Sequence, residues 1–365
     1  MIYKYIHAII VFMFIVANST FFISAKKILV TGGAGFIGSH VSQQLLQRGD
    51  FVVIVDNLND AYDLSIKRYN LSVVEQYNTH NRLKFYEIDI CDREKMEALF
   101  ENERPDIICH LAARAGVRTS IQDPYEYVRT NSIGTINVFE MARKFGVKHL
   151  VCASSSTVYG ARNEGSFSEN DLVDKQSSPY GATKRAGELL AYVYYYLYGM
   201  SITNLRFFSV YGPRCRIDMA PFIFMDALYN DKTINVYGDG SVIRDFTYID
   251  DIVDGIIRSI DTPLGYQIIN IGRGEPIVLA DFIAIMENIV GRTASINYSA
   301  EFSGDVPRTH ANITKAQALI GYNPSISVCE GLSKMYAWYK NEYLLISSHK
   351  KRNTYCAFNT CDCFV

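Results

Sequence analysis

The chain has 365 residues, 48% of them apolar and 20% charged, with a net charge of −2 at pH 7. This length holds one large domain or two modest ones with a full core, and the composition excludes a disordered or fibrous chain. A charge so near zero leaves no electrostatic footprint for nucleic acid, and the eight cysteines are too scattered for a disulfide framework or a metal site.

Taken in chain order, the first feature is Tyr5 to Ile23, 19 residues without a charge and just long enough to span a bilayer. A membrane anchor is the preferred reading, with a cleaved signal peptide as its rival because Ala17-Asn18-Ser19 is an acceptable small-residue cleavage site. Lys26 and Lys27 follow the span and only Lys4 precedes it, which favours a cytoplasmic catalytic domain over one in the secretory lumen. The expected location is therefore a single-pass membrane association, the Golgi being one such membrane.

Lys27–Val30 reads as a short strand, followed by glycines and a helical pattern over Ser39–Arg48. Further strand runs are Phe51–Asp56, Leu83–Asp89, Asp106–Leu111, His149–Ser154 and Ser201–Phe208, and amphipathic helices are predicted at Arg93–Asn102, Tyr125–Phe145 and Tyr180–Tyr198. Strands alternating with helices predict an α/β fold with a doubly wound parallel sheet. Continuous Val/Ile runs fit strands buried on both faces. Beyond Phe208 the pattern is less regular: a helix at Pro221–Tyr229, a strand at Ile234–Tyr237, and a helix and strand at Ile249–Ile260 and Tyr266–Ile271 that return to the first sheet. Two or three more helices end near Tyr343, and from Ile346 the tail has no apolar periodicity and is expected to be disordered.

Gly32, Gly33, Gly35 and Gly38 stand directly after the first strand and open a helix. Small residues there let the backbone approach a pyrophosphate, whose charge is received by free amides at the helix N-terminus. Asp56 closes the next strand, 18 residues after Gly38, where an acid can bind an adenosine ribose diol. Asn57 rather than an arginine follows it, which favours NAD over NADP.

Tyr180 and Lys184 are spaced i and i+4, so on a helix they share one face. A free tyrosine, with pKa about 10, is ionised roughly one part in a thousand at pH 7, a deficit of about 4 kcal/mol that a nearby cation partly recovers. Alone, the spacing arises by chance in any helix bearing Tyr and Lys.

Context makes it specific. Thr-Gly-Gly-Ala-Gly-Phe-Ile-Gly (31–38), His-Leu-Ala-Ala (110–113), Ser-Ser-Ser-Thr-Val-Tyr-Gly (154–160), Tyr-Gly-Ala-Thr-Lys (180–184), Leu-Arg-Phe-Phe (205–208) and Arg-Asp-Phe-Thr-Tyr-Ile-Asp-Asp (244–251) together resemble the extended short-chain dehydrogenase/reductase family. Within it the chain is most similar to nucleotide-sugar 4-epimerases, those acting on UDP-glucuronate first and those acting on UDP-glucose or UDP-N-acetylhexosamines as the alternative. The resemblance runs from about Lys27 to Tyr343.

It implies that Tyr180 takes the proton of the sugar 4-hydroxyl as hydride passes from C4 to bound NAD, that Lys184 holds the nicotinamide ribose and lowers the tyrosine pKa, and that Ser155 hydrogen-bonds the 4-oxygen. It also implies a pyrophosphate loop of Gly32, Gly35, Phe36, Ile37 and Gly38, with Asp56 on the ribose, Asp89 and Ile90 flanking adenine, and Leu111, Ala112 and Ala113 along the pyrophosphate. Asn131 is expected as a supporting polar contact. Related dehydratases and decarboxylases carry acids where this chain has Ser156 and Thr157, so the resemblance implies epimerisation without elimination or decarboxylation.

For the UDP-sugar, the family pattern assigns Arg244 to the diphosphate and Asp305 to the uridine ribose. A uronate carboxylate calls for a further cation. Arg216 is the first candidate, with Arg214 and Arg118 behind it, and Ser209 suits the uronate better than the asparagine of glucose epimerases. Cys215 and Ile217 depart from the glycine and proline usual beside Arg216, and Phe302 replaces an arginine for which Arg308 is the expected substitute. The implied organisation is an N-terminal anchor or signal (1–25), an NAD-binding domain (26–208), a substrate lobe (209–343) and a tail (344–365). A homodimer paired through Tyr125–Phe145 and Tyr180–Tyr198 is expected.

Overall fold

The computed structural model describes residues 25–300 and 304–348. The first half runs β1 (Lys27–Thr31), α1 (Phe36–Arg48), β2 (Phe51–Asp56), α2 (Leu64–Glu75), β3 (Leu83–Glu87), α3 (Arg93–Glu103), β4 (Ile107–His110), α4 (Val117–Gln122), α5 (Pro124–Val128), α6 (Thr135–Phe145), β5 (His149–Ser155), α7 (Pro179–Tyr198) and β6 (Ser201–Phe207). It is followed by β7 (Ser209–Tyr211), α8 (Ala220–Tyr229), β8 (Ile234–Tyr237), β9 (Ile243–Arg244), β10 (Phe246–Tyr248), α9 (Ile249–Asp261), β11 (Tyr266–Ile271), β12 (Ile277–Val278), α10 (Leu279–Val290), β13 (Ile296–Ser299), α11 (Thr314–Ile320) and α12 (Val328–Trp338).

Seven of the strands form one parallel sheet in the order β11-β6-β5-β4-β1-β2-β3. Side chains alternate across a strand, and β1 shows the result: Ile28 and Val30 enter the core under α1 and α9, while Leu29 enters the core shared with α3, α6 and α7. Burial on both faces is why these strands read as unbroken apolar runs. The strand order reverses beside β1, where β4 leaves on the other side. That switch point is where a doubly wound sheet opens a crevice at its strand C-termini.

α7 is well delimited. Ser178 caps its N-terminus by accepting from Gly181 N at 3.1 Å, Pro179 fills the first turn, and Gly199 ends it in the left-handed region. Leu189, Tyr192, Val193, Tyr196 and Leu197 form an exposed apolar stripe along it.

Three expectations are refined. Tyr125–Phe145 is continuously helical, but a wide π turn over Arg129–Gly134 is inserted between α5 and α6. The insertion turns Asn131 inward, where its amide bonds Arg114 N at 2.8 Å, Arg114 O at 3.0 Å and Thr183 Oγ1 at 3.0 Å. The third strand stops at Glu87, leaving Asp89 and Ile90 in the turn beyond it, where Asp89 Oδ1 accepts from Cys91 N. Helical backbone also continues through Ser348, because Tyr343 and Leu344 still pack against the core; the rest of the tail lies outside the described residues. So does Tyr5–Ile23, and among the described residues no helix is long and apolar enough to cross a membrane.

Candidate active site

The crevice is a cavity of about 1280 Å³ running from the glycine loop, past Ser155, Tyr180 and Lys184, to Arg244, Asp305 and Arg308. At its first end, Gly32 has φ 71° and leaves room for the β4 extension: a Cβ there would sit 2.8 Å from Ala112 N. Gly38 is under similar constraint, since a Cβ would lie 2.2 Å from Gly32 O. The N-cap of α1 is Gly35, and no side chain caps that terminus. Phe36, Ile37 and Gly38 therefore line the cavity with first-turn amides unclaimed by a cap, a ready anion site.

Asp56 is buried at the end of β2. Its carboxylate accepts from Ala34 N at 3.2 Å and Leu58 N at 2.9 Å, and meets Lys67 Nζ at 3.4 Å. Lys67 is not among the residues singled out from the sequence. Burial lowers its pKa and Asp56 opposes that shift. Asp89, Ile90, Leu111, Ala112 and Ala113 line the same end, with Asp89 ion-paired to Arg129 at 2.8 Å. A two-carboxylate, apolar-walled channel leading from uncapped amides fits a dinucleotide.

In the middle of the cavity the residues come from three elements. Ser155 ends β5, Tyr180 opens α7, and Lys184 follows one turn later. Burial raises the Tyr180 pKa; a hydrogen bond with the Ser155 hydroxyl and the charge of Arg216 pull it down. Arg216 is thus a cation that acts on the phenol. The lysine is turned onto β5, donating from Nζ to Ala153 O at 2.9 Å, and burial lowers its pKa to about 8. Another turn along α7, buried Glu188 grips Arg206 with two hydrogen bonds of 2.8 and 2.9 Å and accepts from Ser154 Oγ at 2.6 Å. This knot holds the catalytic end of β5 against α7.

The three arginine candidates separate clearly. Arg214 is buried away from the cavity, donating to His40 Nε2 at 3.2 Å and Gln43 Oε1 at 2.8 Å. Its positive φ of 62° turns the chain so that successive arginines point in different directions. Arg118 pairs with Asp305 at 2.7 Å and stacks 3.9 Å from the Tyr237 ring centroid, at the far end. Arg216 alone combines cavity lining with an effect on Tyr180. Its Nε and Nη2 are held by Asp218 at 2.9 and 2.5 Å, and Nη2 also donates to Ala115 O at 3.2 Å. A carboxylate on an arginine fork is the geometry a uronate would need.

Arg244 lines the far end with its charge disfavoured by burial and supported by Asp305. Its neighbour Asp245 is the anchor of that region, accepting from Arg273 N, Gly274 N and Ala311 N between 2.8 and 3.0 Å. β7 pairs with β10, setting Ser209 beside Phe246, and Ser209 lines the cavity. Arg308 does too, with a buried Nε that has no partner among the described residues, while Phe302 lies outside them. The cavity's carboxylates are Asp56, Asp89, Asp218 and Asp305, and among the described residues none bonds Tyr180 or Ser155.

The profile of the NAD dependent epimerase/dehydratase family matches residues 28–272. A UDP-glucuronate 4-epimerase of Thermodesulfobacterium geofontis is 45% identical over 323 residues, covering 88% of this chain and 98% of its own. A crystal structure of UDP-glucuronic acid 4-epimerase from Bacillus cereus, in complex with UDP-glucuronic acid and NAD, superposes with a TM-score of 0.80 at 37% identity, covering 86% of this chain and 99% of that one. UDP-glucose 4-epimerase from Thermotoga maritima, solved with UDP-glucose, gives 0.78 at 32% identity, covering 86% and 98%.

Proposed function

The chain belongs to the NAD dependent epimerase/dehydratase family, and from that premise we propose that it is an NAD-dependent nucleotide-sugar 4-epimerase interconverting UDP-glucuronate and UDP-galacturonate. The observation that carries the uronate is Arg216, an arginine fork already occupied by a carboxylate and close enough to Tyr180 to act on its phenol.

When bound, NAD supplies a two-electron acceptor for C4 that is restored within each turnover. The residues of 26–208 hold it, with the α1 amides on the pyrophosphate and Asp56 on the adenosine ribose, and those of 209–343 hold the nucleotide sugar. Tyr180 removes the 4-hydroxyl proton, and Ser155 bonds the same oxygen and steadies it as it becomes a carbonyl. Lys184 keeps a positive charge over the reacting centre and bonds the nicotinamide ribose. Tyr180 then returns the proton when the 4-keto sugar, turned over in the pocket, is reduced on its other face. Arg244 takes the diphosphate, and Arg216 exchanges Asp218 for the substrate carboxylate. With no acid at Ser156 or Thr157, water elimination has no proton donor, so turnover ends in the epimer.

The test is incubation of pure protein with UDP-glucuronate and separately with UDP-glucose, with the epimers separated chromatographically. The expected result is galacturonate epimer, lost selectively in Arg216→Ala; turnover of UDP-glucose alone would sink the uronate assignment. The bare apolar stripe of α7, with Val128 and Ile133 exposed nearby, is proposed to pair two copies, a mass of two chains in sedimentation being the check. Tyr5–Ile23 is proposed as a single membrane anchor, to be checked by fractionating the full chain against one lacking it.

A further inference from the structure

Tyr62 belongs to no motif, yet it lies between the two halves of the cavity. It stands on the Asn57–Asp63 segment that leads from Asp56 into α2, and it lines the cavity wall. Its hydroxyl is buried, and among the described residues no atom accepts from it. Leaving a buried hydroxyl without a partner costs free energy, so such a group marks where a partner is expected. The direction it points is informative: a Cβ placed on Gly35, at the uncapped start of α1, would lie 3.9 Å from that oxygen. Its ring has two cations beside it, Arg216 with Cζ 5.7 Å from the centroid and Lys67 with Nζ at 5.4 Å. Both distances are within range of the attraction between a cation and an aromatic face.

We propose that Tyr62 couples the two ligands of the site, its hydroxyl donating to a pyrophosphate oxygen of the dinucleotide over the Gly35 turn while its ring seats Arg216 for the substrate carboxylate. This rests on the proposed function, and it adds a specificity-determining contact that serves both ligands. It is a positioning role on the substrate side. Lys67 ties the same ring to Asp56, so the ribose acid, the phosphate loop and the carboxylate-binding arginine are joined through one side chain. Asp218 also holds Arg216, and the ring is the surface against which the guanidinium rests when Asp218 is exchanged for substrate.

Two variants separate the two contacts. Tyr62→Phe removes the hydroxyl and keeps the ring; because the hydroxyl bonds no atom among the described residues, the fold should be undisturbed. Calorimetric titration with NAD should show binding weakened about tenfold, as for loss of a hydrogen bond to a charged group, with the KM for UDP-glucuronate within twofold of wild type at saturating NAD. Tyr62→Leu removes both contacts. It should match the NAD defect and also raise the UDP-glucuronate KM about threefold to thirtyfold, while the inhibition constant of UDP, which lacks the carboxylate, stays unchanged. A wild-type protein that binds NAD and turns over UDP-glucuronate, beside a Tyr62→Phe variant that binds NAD equally well, overturns this inference alone. Equal rises in the UDP-glucuronate KM and the UDP inhibition constant for Tyr62→Leu overturn the substrate half. Wild-type protein that neither binds NAD nor converts the uronate removes the premise and the inference together.

Discussion

Lys184 carries a charge in a place that resists it, and replacing it with methionine should therefore stabilise the dinucleotide-free protein at neutral pH relative to its own high-pH behaviour. Its pKa falls from the ordinary 10.5 to about 8, burial being the largest cause, against partial support from Cys152 and Glu188. Because the folded value lies below the unfolded one, the unfolded chain binds more protons between about pH 8 and 10.5, and stability rises with pH across that window. At pH 7 the buried charge costs about 3 kcal/mol, and at pH 9.5 a little over 1 kcal/mol. At about 2 cal/mol/K of unfolding entropy per residue, a fold of this size moves about 1.5 °C per kcal/mol. The melting temperature of Lys184→Met minus that of wild type should then fall by about 3 °C between pH 7 and pH 9.5. The amine's bond to Ala153 O is lost in the variant, but that offset does not vary with pH. Differential scanning calorimetry on nucleotide-stripped protein at the two pH values reads the difference. A gap that stays flat, or widens, refutes the argument.

Further outcomes follow from the same geometry. Tyr180→Phe should lower kcat by about 10²–10⁴-fold, as expected for a lost general base, with NAD content and melting temperature near wild type; a kcat within tenfold would remove the phenol from the reaction. Glu188→Gln should destabilise by about 3–5 kcal/mol in chemical denaturation, because it leaves Arg206, buried at 1% exposure, without its counter-charge; a loss under 1 kcal/mol would show that the pair is not what holds α7 to β6. Asp218→Asn should lower the KM for UDP-glucuronate about threefold by removing the competitor at Arg216, and a raised KM would mean that Asp218 orients the arginine.

The sheet was legible because its strands are short, apolar and separated by helix-length intervals. The cofactor end was legible because Gly32, Gly38 and Asp56 each answer a local backbone requirement. The substrate end depends on long-range placement. Arg214 and Arg216 are two residues apart and both candidates on sequence, Arg216 first; the loop path, with Arg214 at positive φ, sends one into the core and the other into the cavity. Asn131 had a residue identity but no mechanism until the π turn aimed it at Arg114 and Thr183. Tyr62 and Lys67 are neighbours of Asp56 in sequence, so a search around that acid for side chains able to fold back could have found them. Glu188 stands on the same helical stripe as Tyr180 and Lys184, a third step of four that periodicity could have singled out.

That stripe has an evolutionary consequence. On α7 every fourth residue from Tyr180 to Glu188 is tied to chemistry or to the buried Arg206 knot, while Leu189, Tyr192, Val193, Tyr196 and Leu197 look outward with no duty in the cavity. Mutational drift on the outer side can alter what the protein associates with at little cost to turnover, whereas drift on the inner side is closed. One helix thus lets a lineage renegotiate its company without relearning its reaction.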